Sequence, residues 1–129
     1  MKNLTFILLL ISSSFVIGQS RISNEQVTTN KEGLKYYNSN PFTGVVYLNH
    51  KNGNVWKEAA YVDGKLQGVS KGYYESGQIW FEQEISNGQY VYIKKWHDNG
   101  QLKSEQYYKK ARVSSYKEWD QDGNLVKEE

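Results

Sequence analysis

From residue 33 onward the chain alternates short runs rich in Val, Ile, Tyr, Trp and Phe with clusters of Gly, Asn, Asp and Ser. The apolar runs are of strand length, and no apolar stripe recurs with a helical period, so the pattern predicts strands separated by turns. The turns keep a fixed beat. Gly53, Gly77, Gly100 and Gly123 stand at intervals of 24, 23 and 23 residues. They close the pairs Asn52-Gly53, Ser76-Gly77, Asn99-Gly100 and Asp122-Gly123, and a glutamate follows five residues after each: Glu58, Glu82, Glu105 and Glu128. A period in the twenties marks a repeat array, in which most recurring residues serve architecture.

A second turn signal lies eleven residues after each of the first three glycines, at Asp63-Gly64, at Asn87-Gly88 and, in weakened form, at Lys110-Ala111. Each unit is therefore two antiparallel strands. Asn-Gly and Asp-Gly between such runs favour two-residue type I′ turns, because both central residues then need a positive φ. Two-residue turns at the four periodic glycines would set Lys71 opposite Glu82, Lys94 opposite Glu105 and Lys117 opposite Glu128 as structural ion pairs. On the same face they would set Tyr73 opposite Trp80, Trp96 opposite Lys103 and Trp119 opposite Val126. The other face would receive Val55, Ile79, Leu102 and Leu125 against His50, Tyr74, His97 and Asp120. The expected fold is all-β: an elongated, single-layer antiparallel meander of about four β-hairpin repeats of 23–24 residues, over residues 33–129. Within it, Gly33 to Tyr37 reads as one strand of a degenerate opening unit, turned at Asn38 to Pro41.

The N-terminus has a different character. Lys2 precedes a mostly apolar stretch, Leu4 to Ile17, and Val16-Ile17-Gly18 offers modest side chains for cleavage before Gln19. Residues 1–18 thus read as a signal peptide, and the polar residues 19–32 as a flexible lead. The expected location is outside the cytoplasm: periplasmic, associated with the outer surface, or secreted. There is no cysteine, which excludes disulfides and thiol catalysis and leaves stability to sheet pairing and aromatic packing. The formal net charge of +2, with lysines and glutamates interleaved, gives no basis for nucleic-acid binding. Eleven tyrosines and four tryptophans in so polar a chain suit half-exposed sheet faces better than a thick core.

Catalytic and metal-binding patterns are weak. His50 and His97 occupy equivalent places two repeats apart, about 19–20 Å by strand spacing, too far to share an ion. Asp120-Gln121-Asp122-Gly123-Asn124 resembles the start of a calcium loop, but Glu128 comes too early to be its distal ligand, so a plain hairpin turn is expected. The glutamates of successive units lie about 9–10 Å apart, again too far for one metal. The reading is therefore a non-enzyme without cofactor or metal.

Several segments carry a family resemblance. Tyr73-Tyr74-Glu75-Ser76-Gly77-Gln78-Ile79, Trp96-His97-Asp98-Asn99-Gly100-Gln101-Leu102-Lys103-Ser104-Glu105 and Trp119-Asp120-Gln121-Asp122-Gly123-Asn124-Leu125 resemble the MORN-repeat-variant family, over about residues 33–129. Asp63-Gly64-Lys65-Leu66-Gln67-Gly68 resembles its inter-unit linker, and Pro41-Phe42-Thr43-Gly44 the entry segment of exported members. The chain departs from the pattern at Ala111, where the linker glycine is lost, and at Tyr90 to Ile93. The resemblance implies a β-hairpin repeat sheet used for contact with proteins or membrane lipids, with no catalytic site. Bacterial members are often labelled antitoxins, which fits poorly with an export signal.

The function expected from these features is that of an exported, non-catalytic repeat module mediating protein–protein interaction at the cell envelope. Tyr73, Trp80, Trp96 and Trp119 are the candidate partner contacts. The alternatives are a peripheral lipid- or glycan-binding protein and an antitoxin or immunity-type protein neutralising a toxin. Dimerisation through exposed sheet edges is a further expectation.

Overall fold

The structure, a computed structural model, describes residues 20–129; the expected signal peptide, residues 1–18, lies outside the described residues. Twelve strands follow one another: β1 (Arg21–Ser23), β2 (Thr28–Thr29), β3 (Lys35–Tyr37), β4 (Asn40–Pro41), β5 (Gly44–Asn49), β6 (Val55–Val62), β7 (Lys65–Tyr73), β8 (Ile79–Ser86), β9 (Gln89–Trp96), β10 (Leu102–Lys109), β11 (Arg112–Trp119) and β12 (Leu125–Glu128). From β5 to β12 the chain is an uninterrupted antiparallel meander, and β1 adds to it in parallel beside β5, giving a nine-stranded sheet. β2, β3 and β4 form a separate three-stranded sheet. The fold is all-β, and its repeating part is four hairpins, β5–β6, β7–β8, β9–β10 and β11–β12.

The hairpins close by two kinds of turn. At Asp63-Gly64, Asn87-Gly88 and Lys110-Ala111 both residues have positive φ (49° and 81°, 51° and 75°, 49° and 60°), and the flanking residues pair directly, as in a two-residue type I′ turn. At the four periodic glycines the turn differs from the expectation. Only the glycine is left-handed (φ 90°, 89°, 86° and 85°), its N–H donates to the carbonyl three residues back, and that residue's own N–H donates to the residue after the glycine. This is the three-residue loop in which a tight turn is followed by a left-handed glycine. The side chain before the glycine explains the choice. Asn52 Oδ1, Ser76 Oγ and Asn99 Oδ1 accept from the N–H two residues on at 3.0, 3.3 and 3.0 Å, a local bond that holds these residues in right-handed backbone space.

The longer loop offsets the strands by one residue, and a β-bulge restores the register. Next to the loop the pairs are Asn49–Val55, Tyr73–Ile79, Trp96–Leu102 and Trp119–Leu125. Tyr73 therefore does not face Trp80, Trp96 does not face Lys103, and Trp119 does not face Val126. The +2 residues likewise meet these four and not His50, Tyr74, His97 and Asp120. Beyond the bulge the expected register returns, with Lys71–Glu82, Lys94–Glu105 and Lys117–Glu128 as direct partners. The extra residue in each case is Trp56, Trp80, Lys103 or Val126. Further irregularities near the type I′ rim leave Val91 and Ser114 unpaired opposite β8 and β10. At the corresponding place Ala60 faces three residues, Gln67 to Val69. That wider bulge, at Gly68, takes up the additional residue of the 24-residue interval.

Burial is slight. Phe42 and Val46 are the buried apolar side chains among the described residues, and no large side chain there is fully buried. Phe42 lies where the small sheet meets the meander: its N–H donates to Lys35, its carbonyl accepts from Gly64, and Gly64 in turn accepts from Lys35 (2.9, 2.8 and 2.9 Å). A side chain at Gly64 would stand 2.8 Å from the Lys35 carbonyl, so only glycine permits this approach. The small sheet takes residues 33–41 out of the array, whose first hairpin starts at Gly44. The segment expected to be a flexible lead holds β1, a 3₁₀ turn at Asn24–Gln26 with a capping box from Ser23, and β2. Its polar side chains find partners: Lys35 Nζ donates to Asn24 Oδ1 at 3.0 Å and to Thr29 Oγ1 at 2.9 Å.

Candidate functional site

Strand alternation divides the sheet into two faces. One carries the charged row Glu58, Lys71, Glu82, Lys94, Glu105, Lys117 and Glu128, each residue paired in register with the next. On this ionic face Lys71 Nζ lies 3.6 Å from Glu82 Oε2 and Lys117 Nζ 3.0 Å from Glu128 Oε1. Lys94 and Glu105 stand opposite each other without forming the expected ion pair. The Lys94 ammonium lies instead over the rings of Tyr92 and Tyr107, at 5.5 and 5.9 Å from their centroids. Arg21 reaches Glu58 at 3.4 Å and covers the Tyr47 ring at 4.1 Å. Tyr73 donates to Glu58 and Tyr92 to Glu82, both at 2.7 Å. Burial, the hydrogen bond to a carboxylate and that carboxylate's charge push both phenols up to about 12. The shallow concavity on this face, about 540 Å³, is lined by these same Arg21, Glu58, Lys71 and Glu82 side chains. Its charges largely satisfy one another, and each exposed pair contributes only about 0–1 kcal/mol.

The opposite face is aromatic. A bulge lets two consecutive residues share one side of a sheet, and here it turns Trp56 with Lys57, and Trp80 with Phe81, toward the same face. The Lys57 ammonium lies 4.4 Å from the Trp56 ring centroid and 5.8 Å from that of Trp80. Trp80 meets Phe81 edge-on at 5.0 Å, and the Phe81 ring occupies the space over Gly72, where an added Cβ would lie 2.2 Å from Phe81 Cε1. His50 and Tyr74 flank the two indoles at 6.1 and 6.4 Å. Both tryptophans remain partly open, at 38% and 37% exposure. The third and fourth hairpins place Lys103 and Val126 at the same position, so the patch is confined to the first two.

Along the rim formed by the periodic glycines, side chains stitch each hairpin to the next. His50 Nε2 meets the Tyr73 carbonyl at 2.8 Å, Tyr74 Oη donates to the Trp96 carbonyl at 2.9 Å, and His97 Nε2 meets the Trp119 carbonyl at 2.9 Å. A carbonyl only accepts, so both histidines carry their proton on Nε2. Asn52 and Asn54 donate to the Glu75 carbonyl at 2.9 and 2.8 Å, and Asn99 to that of Gln121 at 2.9 Å. Asp120, in the place of these histidines in the last hairpin, turns inward and accepts from the N–H groups of Asp122 (3.0 Å) and Asn124 (2.9 Å). Those bonds hold its carboxyl below the usual range.

The four expected contact residues therefore separate. Tyr73, Trp96 and Trp119 are half-buried on the ionic face, and their carbonyls receive the stitches. Trp80 stands on the other side with Trp56, which sequence reasoning did not single out. The available signal was its position, three residues after Gly53 as Trp80 is three after Gly77.

Residues 66–87 and 92–110 each match the family model described as the MORN repeat variant. The two matches run in phase with the structural unit, each covering one periodic-glycine loop and ending at a type I′ turn. MORN repeats generally serve contact with proteins or membranes. No curated protein matches the chain.

Proposed function

We propose that this chain of MORN repeat variants is an exported, non-catalytic interaction module that contacts a partner protein at the cell envelope. The observation that carries the reading is the aromatic patch of the first two hairpins. Two equivalent indoles are held by their own neighbours and left more than a third exposed on an open sheet face. Ordered, partly exposed tryptophans backed by packed aromatics are the usual anchors of protein interfaces. Export is supported by Lys2 and the apolar stretch Leu4 to Ile17. On this reading Trp56 and Trp80 are the contact residues, while Tyr73, Trp96 and Trp119 serve the sheet.

The test is affinity capture from detergent-solubilised envelope extract with the processed protein, comparing wild type, Trp56→Ser/Trp80→Ser and Trp96→Phe. One protein recovered in near-stoichiometric amount by wild type and Trp96→Phe, and lost with the double variant at unchanged circular dichroism, is the expected result. Recovery that survives the double variant would place the contact elsewhere, and recovery of nothing by wild type would sink the reading.

A further inference from the structure

The two faces differ in how their charge is used. Among the described residues the ion pairs engage Arg21, Lys71, Lys117 and Lys127, and none engages Lys57 or Lys95. Lys57 and Lys95 both belong to the aromatic face, because Lys57, Gly72, Phe81 and Lys95 form one continuous cross-strand row. Their strands are three spacings apart, about 14–15 Å. Between the two lysines in this row stand Gly72 and Phe81, whose ring is seated over Gly72 with the partly exposed Trp80 edge-on beside it. The row therefore reads cation, aromatic surface, cation.

We infer that this row is the docking site for an acidic, extended polypeptide segment of the partner, laid across the strands with one carboxylate on Lys57, one on Lys95 and an apolar side chain over Phe81 and Trp80. The spacing sets the pattern. An extended chain advances about 3.3–3.5 Å per residue, so four residues span the two lysines, and the residue midway points to the same side as both acids. The partner motif is thus acidic–x–apolar–x–acidic. Lys57 also discriminates between ligand classes. Its ammonium occupies the Trp56 ring face at 4.4 Å, the position a sugar ring would need for stacking. Beside two indoles it is partly desolvated, where a charge-assisted hydrogen bond to a carboxylate is stronger than at an open surface. The indoles, held from the side by His50, Tyr74 and Phe81, are arranged to receive a contoured partner rather than to penetrate a bilayer.

This inference rests on the interaction-module reading, and its test separates the two. Tryptophan fluorescence titration of the whole protein would use three synthetic peptides, with cores Glu-Ala-Leu-Ala-Glu, Ala-Glu-Glu-Leu-Ala and Lys-Ala-Leu-Ala-Lys, and vesicles of phosphatidylglycerol. The spaced acidic peptide is expected to bind about tenfold more tightly than the adjacent-acid one, and the basic peptide not at all. Lys57→Gln or Lys95→Gln should each weaken the spaced peptide about tenfold with the circular dichroism spectrum unchanged. Equal binding of the two acidic peptides, no binding of either, or indifference to Lys57→Gln overturns the inference. So does vesicle binding lost in Lys57→Gln, which would make the row a lipid-headgroup site. If the peptides fail while envelope capture still depends on Trp56 and Trp80, only the acidic chemistry is lost; if both fail, the module reading goes with it.

Discussion

The two rims of the sheet are both rows of hairpin turns, yet they hold the array together differently. On the periodic-glycine rim, side chains of one hairpin donate to main-chain carbonyls of the next: His50 to Tyr73, Tyr74 to Trp96, His97 to Trp119. On the type I′ rim the links are fewer and run to main-chain N–H groups, from Asp63 to Thr43 Oγ1 and from Asn87 to Gln67 Oε1. At the third turn Tyr90 stands in the corresponding place and stacks on Tyr108 at 5.5 Å. The first type I′ turn, besides its Thr43 link, also carries the small N-terminal sheet. One rim is thus uniform and binds neighbours, and the other is individual and binds whatever lies beside it. In a sheet with so little buried apolar surface, such local bonds are a large share of what distinguishes one register from another.

The comparison can be broken most forcefully at Gly64. Gly64→Ala must accommodate a left-handed alanine and a Cβ 2.8 Å from the Lys35 carbonyl, whereas Gly88, at the next turn, has open space around it. Gly64→Ala should cost about 3 kcal/mol and lower the melting temperature by more than about 10 °C, and Gly88→Ala only about 1 kcal/mol. Equal losses in thermal melts would mean that the small sheet does not depend on that approach. Next in size, Tyr74→Phe and His97→Ala each remove one stitch and should cost about 1 kcal/mol. Faster amide hydrogen exchange should be confined to the hairpin on either side; exchange rising evenly through the sheet would argue against a local link.

A gain is expected at Ala111, which is held at φ 60° beside Lys110 at φ 49°. Ala111→Gly relieves left-handed strain, and after the entropy cost of glycine the net stabilisation should be about 0.5–1 kcal/mol, read as a small rise in denaturation midpoint. The smallest effect is one of pH. The Asp120 carboxylate has its folded value lowered by its own turn, so its contribution is fully present above the unfolded value near 3.8 and is lost as pH falls through the folded one. Acid titration should therefore loosen the β11–β12 loop first, and Asp120→Asn should abolish that local transition.

The hairpin count, the strand positions and the outer register were legible because glycine spacing and alternation carry them directly. The loop type was not, because Asn-Gly is compatible with either turn. What decided it was a short side chain accepting from the main-chain N–H after the glycine: Asn52, Ser76 and Asn99, just before the glycine, in the first three loops and Asp120 in the last. The bulge followed from the loop, and with it the face of Trp80, so an error of one residue moved a tryptophan to the other side of the sheet. The parallel pairing of β1 had no local signal at all. It depends on Gly44, where an added Cβ would lie 2.3 Å from the Ser20 carbonyl, an approach between residues about two dozen positions apart that no local pattern encodes.

The stitches also have a direction, since every donor sits on the earlier hairpin and every acceptor on the later one. At one margin β5 is clasped by β1 and braced by the small sheet; at the other β12 has a single neighbour and four exposed residues. Under tension between its ends such a molecule behaves as a zip with one fixed stop. It is expected to part from Glu128 toward Gly44, releasing its stitches once per hairpin and not once per strand, and to close in the reverse order.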